Sequence, residues 1–407
     1  MKGDIIMNPA KKLFCIFTAL LLVCAMALPA FAEGETQYDE HDATLLRAFF
    51  EQEDPNGVKN GDKLFAHYDP DDPSTWDGWD VYSDEDVPRV GWNENGRVTI
   101  LALTSEEENL YGKLDVSGMD ELTVLHCILS KLTEVDCSGC ARLTELQVAQ
   151  NEIEKIDLAG CTSIQLLNVA SNKLKALDFN DCRGTLVQLW ADHNEIEGEL
   201  DLAGMPNIDE VFFNNNKLTR VSAPAECGEM AHLECAVNEI TEAEVLAEVK
   251  DLSFGTNPLM KLRFVTRGEC VEIVSDGNGT FGCDYVKDAK NPQTDEIYDY
   301  FDVTGTPFEG YEYMGLYEDG ELMFEPNELY TGEALGAMSL TAVFEGSAPA
   351  PSEPVEPSEP TPSEPAPIDP PKPPQTGTES IASLGFLLLT AGIGIAGISL
   401  KKKVNMK

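Results

Sequence analysis

Histidines, cysteines and paired carboxylates are the side chains with which this chain could do chemistry. Five histidines, His41, His67, His126, His193 and His232, are scattered along it, and none sits in H-E-x-x-H. Neither G-x-S-x-G nor a P-loop is present, so a zinc-peptidase helix, a nucleophile elbow and a nucleotide cradle are all unsupported. Acidic residues number 72, so some pairs lie close in any fold, and a two-carboxylate hydrolase does not follow from their abundance. Cys137-Ser-Gly-Cys140 has C-x-x-C spacing, but no second C-x-x-C or nearby His pair completes a metal set. "DPDDPSTWDGWD" lacks the D-x-D-x-D-G and Glu spacing of a calcium loop, which leaves calcium an open alternative there rather than an expectation. The expectation is a chain with no catalytic residue, no cofactor and no metal centre.

What positions the cysteines is a repeat. "LTELQVAQNEI" begins at Leu143, "IQLLNVASNKL" at Ile164, "LVQLWADHNEI" at Leu186 and "IDEVFFNNNKL" at Ile208, a spacing of about 21 to 22 residues. Asparagines hold one register position: Asn151, Asn172, Asn194, Asn216, Asn238 and Asn257, with Ser130 in that place in the first full coil. Cys140, Cys161 and Cys182 each fall ten residues after their register residue, and Cys227 eleven after Asn216. Cys127 and Cys235 take the second apolar position of L-x-L. All six read as small buried hydrophobes rather than reactive thiols. The period and the pattern L-x-x-L-x-L-x-x-N-x-L resemble leucine-rich repeats, which implies a solenoid. Segments such as "EVDCSGC" and "KIDLAGC" predict extended rather than helical structure on its far side.

Within each L-x-L the middle residue points outward. In successive coils it is His126, Gln147, Asn168, Trp190, Phe212, Glu234 and Ser253. Trp190 and Phe212 are neighbours in this column and are not required by repeat geometry. Asp192, His193, Asn214 and Asn215 lie on one side of them, and Glu145, Gln188 and Glu210 on the other. Exposed aromatics inside a polar, acidic rim mark an interaction surface, so Trp190, Phe212, Asp192, His193, Asn214, Gln188 and Glu210 are the candidate ligand-binding residues.

Residues 33–97 read as an N-terminal cap. Asp42 is placed to cap a helix bearing Leu45, Leu46, Phe49 and Phe50, and Trp76, Trp79 and Trp92 follow. The solenoid then spans 98–263, with one helix expected in "ITEAEVLAEVKD" from its Thr241/Glu244 capping box. Residues 264–346 alternate as strands. Asp276-Gly277 predicts a hairpin turn that sets Cys270 opposite Cys283, where a cross-strand disulfide is geometrically allowed. Gly310-Tyr311, Tyr313, Gly315 and the ending Thr341 to Phe344 resemble the small β repeat beside leucine-rich repeats in internalin-like proteins, without that module's usual Trp.

Both ends carry processing signals. Lys11 and Lys12, an apolar run from Leu13 to Leu28 and Ala30-Phe31-Ala32 form a signal peptide (1–32), cut between Ala32 and Glu33. A linker follows the β region at 347–372. Ser347 to Pro374 holds 12 of the 24 prolines, a stiff extended tether of about 80 Å. In 373–407, Pro373-Pro374-Gln375-Thr376-Gly377 precedes an apolar span from Ile381 to Leu400 and then Lys401 to Lys403. That order resembles the cell-wall sorting signal of Gram-positive surface proteins, with Pro373 where L-P-x-T-G has Leu. The resemblance implies that a sortase cuts Thr376–Gly377 and joins Thr376 to peptidoglycan. A plain tail anchor is the alternative. Before sorting, the C-terminal helix would be the chain's one contact with the membrane.

Removing both signals takes formal net charge from -44 to -49. No basic patch exists to neutralise phosphates, so nucleic acid is excluded as a partner. The expected fold is mainly β: a leucine-rich-repeat solenoid with an N-terminal cap, a small β domain, a Pro-rich linker and a C-terminal transmembrane helix. The expected role is an adhesin-like surface protein that binds an unknown protein ligand through the concave face of the repeats. The alternative is an envelope-organising or wall-glycan-binding protein.

Overall fold

A computed structural model describes residues 37–78, 87–104, 109–290, 295, 297–326, 330–332 and 335–347. The Ala32/Glu33 cleavage pair, Trp79, the Pro-rich linker, the sorting pentapeptide Pro373 to Gly377 and the C-terminal apolar run lie outside them. Among the described residues no helix is long and apolar enough to cross a membrane.

The protein is mainly β, with a β-solenoid of about eight turns. It opens with α1 (Glu40–Phe50), α2 (Asn60–Leu64) and an antiparallel pair, β1 (Val90–Trp92) with β2 (Val98–Ala102). The coils then contribute β3 (Tyr111–Asp115), β4 (Val124–His126), β5 (Lys131–Asp136), β6 (Glu145–Gln147), β7 (Lys155–Asp157), β8 (Leu166–Asn168), β9 (Gln188–Trp190), β10 (Glu197–Asp201), β11 (Glu210–Phe212), β12 (Lys217–Ala223), β13 (Glu229–Glu234), β14 (Glu242–Ser253) and β15 (Lys261–Thr266). On the front face β2, β4, β6, β8, β9, β11, β13 and the end of β14 pair in parallel. The back face is also strand, as two parallel runs, β3–β5–β7 and β10–β12–β14–β15.

Alternation in the sequence is what folds the front strands. Leu146 and Val148, Leu167 and Val169, Leu189 and Ala191, and Val211 and Phe213 all turn inward and are essentially fully buried. The register asparagines close each turn from inside. Asn172 Oδ1 accepts from Ile153 N at 3.0 Å, while its Nδ2 donates to Val148 O at 3.0 Å and Val169 O at 2.9 Å. Asn151, Asn194, Asn216, Asn238 and Asn257 repeat that arrangement, each tying its coil to the one before. The residue before each register position, from Leu129 to Thr256, has φ between 54° and 58°, a left-handed corner that side chains other than glycine rarely adopt. The inward cysteines are buried free thiols. Burial pushes Cys140 up to about 12 and Cys161 up to about 11, so both stay protonated and unreactive near neutral pH. Their S–H groups donate to Val116 O and Cys137 O of the preceding coil, at 3.1 and 3.0 Å.

The N-terminal segment packs over the first coil. Gln52 and Asn60 use their side-chain amides as strand surrogates along the open edge of β3: Lys113 N donates to Gln52 Oε1 at 2.8 Å, and Tyr111 N to Asn60 Oδ1 at 3.0 Å. The helix cap differs from the expectation. Asp39, not Asp42, accepts from the first-turn amides. Asp42 is buried and pairs with Arg97 at 2.8 Å. Trp76 is buried against Phe50.

Three further expectations change. The helix expected from Thr241 is β14, because Ala243, Val245, Ala247 and Val249 alternate inward and strand neighbours on both sides outweigh helix propensity. A phase slip between Val249 and Leu252 marks where β14 rounds the corner from the back face to the front. The hairpin about Asp276-Gly277 is also overturned. β16 (Glu269–Ser275) and β17 (Gly279–Lys290) enter different layers, β16 pairing with β15 and β17 with the end of β14. Cys270 therefore faces Val265 and Cys283 faces Val303, and both are free thiols. Finally, the boundary drawn after residue 263 falls inside β15. β18 (Ile297–Pro307) and β21 (Tyr330–Gly332) continue the front sheet beyond β17, while β19 (Tyr311–Glu318), β20 (Glu321–Phe324) and β22 (Met338–Gly346) continue the back sheet beyond β16. The solenoid thus runs into the β region without a linker, over a shared core that includes Phe254, Phe264, Phe281 and Tyr285.

Candidate binding face

The front sheet brings the outward column into register. Trp190 on β9 and Phe212 on β11 are direct cross-strand partners, with ring centroids 6.0 Å apart in an edge arrangement. Both are half-buried, so they form a recessed aromatic pair rather than a fully open platform. Phe212 in turn lies 5.7 Å from the His232 ring at an interplanar angle of 29°. Trp190, Phe212 and His232 are therefore in successive ring contact, His232 sitting diagonally, opposite Glu210 rather than Phe212.

A polar chain runs alongside. Asp192 Oδ1 accepts from Asn214 N at 2.8 Å, Asn214 Nδ2 donates to Glu234 Oε2 at 3.0 Å, and Asn214 Oδ1 accepts from Ala236 N at 2.7 Å. Burial, with the charge of Glu234 adding to it, pushes the Asp192 carboxyl up to about 6. On the opposite flank Gln188 is buried and donates to Glu210 Oε2 at 2.9 Å. Of the seven residues singled out, four, Asp192, Asn214, Gln188 and Glu210, flank the aromatic pair. His193 does not join them: it is the left-handed corner residue of its coil, with φ 54° and an exposed side chain.

Two polar atoms in this region are buried without a hydrogen-bond partner among the described residues, Trp190 Nε1 and His232 Nδ1. The first two members of the column behave differently. His126 Nε2 lies 2.8 Å from Glu145 Oε1, and Gln147 Nε2 donates to the same oxygen at 2.6 Å, so that part of the face is closed on itself.

His232 and Asp251 lie outside the candidate set, because the helix expected in "ITEAEVLAEVKD" takes in Asp251. In β14 it sits directly opposite His232, with Glu234 two residues further along β13. The alternation of Ala243 through Val249 was the signal that could have placed it. Away from this face, a recess opens where the back sheet is interrupted between β7 and β10, lined by Phe179, Arg183, Glu199 and Phe213 among others. None of the candidate residues lines it.

The fold and face define a mainly β, repeat-type solenoid with a recessed aromatic row on its front sheet. No protein-family model, no curated protein and no solved structure matches the chain.

Proposed function

We propose that this is a leucine-rich-repeat surface protein of the internalin-like kind, secreted through its signal peptide and joined to peptidoglycan by a sortase through Thr376. The proposed activity is non-catalytic: the front face, concave in such repeats, binds a protein ligand around Trp190 and Phe212. The observation that carries the binding reading is the aromatic pair with its unpaired Trp190 Nε1, placed where neither the core nor the asparagine row requires it. A buried indole N–H without an acceptor is unfavourable in the free protein and becomes favourable once a ligand supplies one. The negative net charge favours a ligand with basic groups. The β region and the Pro-rich linker hold the face away from the wall.

A pull-down from candidate ligand sources with the mature protein tests the reading, with Trp190→Ala/Phe212→Ala as the comparison. Ligands retained by the native chain are expected to be lost with the double variant, and equal retention by both would remove the aromatic pair as the site. Mass spectrometry of muramidase-released wall fragments tests the anchor. Thr376 linked to peptidoglycan is the expected product, and an intact C-terminus overturns it.

A further inference from the structure

His232, Glu234 and Asp251 stand at the end of the aromatic row, on adjacent parallel strands. His232 and Asp251 are register partners, and Glu234 lies two residues along the strand from His232, hence on the same face. One donor atom from each of the three lies within 4.8 Å of the other two. His232 Nδ1 is 3.4 Å from Asp251 Oδ2, within ion-pair distance but without hydrogen-bond alignment, and it remains a buried nitrogen with no hydrogen-bond partner. A nitrogen this close to carboxylate oxygens can be completed either by a proton, as an ion pair with Asp251, or by a metal ion.

We propose that His232, Glu234 and Asp251 form an open, three-ligand site for a divalent transition-metal ion on the front sheet. The donor set decides the class of ion. One imidazole with two carboxylates suits zinc, manganese or iron, whereas calcium and magnesium take oxygen ligands almost alone. The ring orientation is already constrained, since Phe212 stacks on the imidazole. Asn214 Nδ2 holds Glu234 Oε2, leaving that carboxylate's other oxygen to the metal. The side chains of His232 and Asp251 are 38% and 32% exposed, so an ion enters from solvent and keeps coordination positions free on the front side. Those positions lie beside Phe212, where a bound partner could add a further ligand. That role rests on the binding reading above; the existence of the site does not.

Metal and proton compete for His232. Asp251 raises the imidazole above its ordinary range, against the opposing effect of partial burial. The carboxylates facing the ring are Asp251 from β14, Glu210 from β11 and Glu234 on its own strand. Binding releases the imidazole proton where it is present, and affinity falls as pH drops toward 5.

Titration of the metal-free mature protein with zinc by calorimetry, repeated at two pH values, is the test. One saturable site per chain is expected, weakened by on the order of tenfold or more in His232→Ala and in Asp251→Asn. His193→Ala should bind as the native chain does, and calcium in excess should not displace zinc. A cobalt titration adds a spectroscopic readout: ligand-field bands that disappear in His232→Ala while its circular dichroism stays native. Zinc binding that is absent, or unchanged in His232→Ala, overturns the site. Trp190→Ala, which leaves Phe212 on the imidazole, should keep the zinc, so a failed partner and a failed metal site give different results.

Discussion

Two rows of side chains run through the same coils, one inside and one outside, and they are built on opposite terms. The inner row is uniform: an asparagine in each of six coils, buried, with every amide group bonded to backbone of its own or the preceding coil. The outer row changes character part-way. His126, Glu145 and Gln147 satisfy one another, while Trp190 and His232 each leave a nitrogen without a hydrogen-bond partner among the described residues. Nothing in the repeat dictates the second half of that row. The inner row is what folding demands, and the unsatisfied part of the outer row is what folding leaves available for binding.

Breaking the inner row should have the largest effect on stability. In Asn172→Ala, Ile153 N loses its acceptor and Val148 O, Val169 O and Ala170 O lose a donor, all in or near the core. Orphaned buried backbone groups cost about 1–3 kcal/mol each where no water reaches them, so a total loss of about 2–4 kcal/mol is expected. Chemical denaturation checks it. A loss below ~1 kcal/mol would mean that the row does not hold the coils together.

The next effect is smaller, opposite in sign and confined to the outer row. The folded-state pKa of Asp192, about 6, lies above its ordinary value of 3.8. The folded protein therefore binds this proton more tightly than the unfolded chain, and the ionised carboxylate destabilises it. That penalty is complete above pH 6, shrinks as pH falls, and is gone below about 4, where both states are protonated. Asp192→Asn keeps an acceptor for Asn214 N and removes the charge. It is expected to stabilise by roughly 1–2 kcal/mol at pH 7.5, less than the full shift implies because the group is partly exposed. Thermal melts at pH 7.5 and 4 should show the gain at the first and not at the second.

The inner row and the short front strands were legible in the sequence because burial there repeats along the chain: Leu146, Leu167 and Leu189 recur with the coil. Cysteine roles followed for the same reason. What failed depended on partners far away in sequence. "EAEVLAEVKD" carries good helix formers, and it is β12, β13, β15 and β17 alongside that make it a strand. Asp276-Gly277 does turn the chain, with Gly277 at φ 96°, but the turn does not choose the pairing. β16 takes β22 on one side, more than sixty residues along. The metal-type cluster depends on the strand formed by "EAEVLAEVKD", since Asp251 meets His232 only if β14 exists.

The smallest effect is that of Trp190→Phe, and set beside Trp76→Phe it tests the contrast most directly. Trp76 is fully buried and its Nε1 donates to Asp69 O at 2.8 Å; Trp190 is half-buried with Nε1 unpaired. Trp76→Phe gives up a made hydrogen bond and leaves a cavity, together about 2 kcal/mol or more. Trp190→Phe gives up some apolar contact, about 1 kcal/mol at ~25 cal/mol per Å², but also relieves an indole N–H that is buried with nothing to bond. The two terms oppose each other, so its net change should stay within about 1 kcal/mol of zero. Ligand binding should respond in the reverse order. Trp76→Phe leaves it untouched, whereas Trp190→Phe weakens it, because the N–H that folding left unused is the one a ligand's acceptor would fill. Equal stability losses in the two variants would place Trp190 with the structural residues and return the outer row to the scaffold.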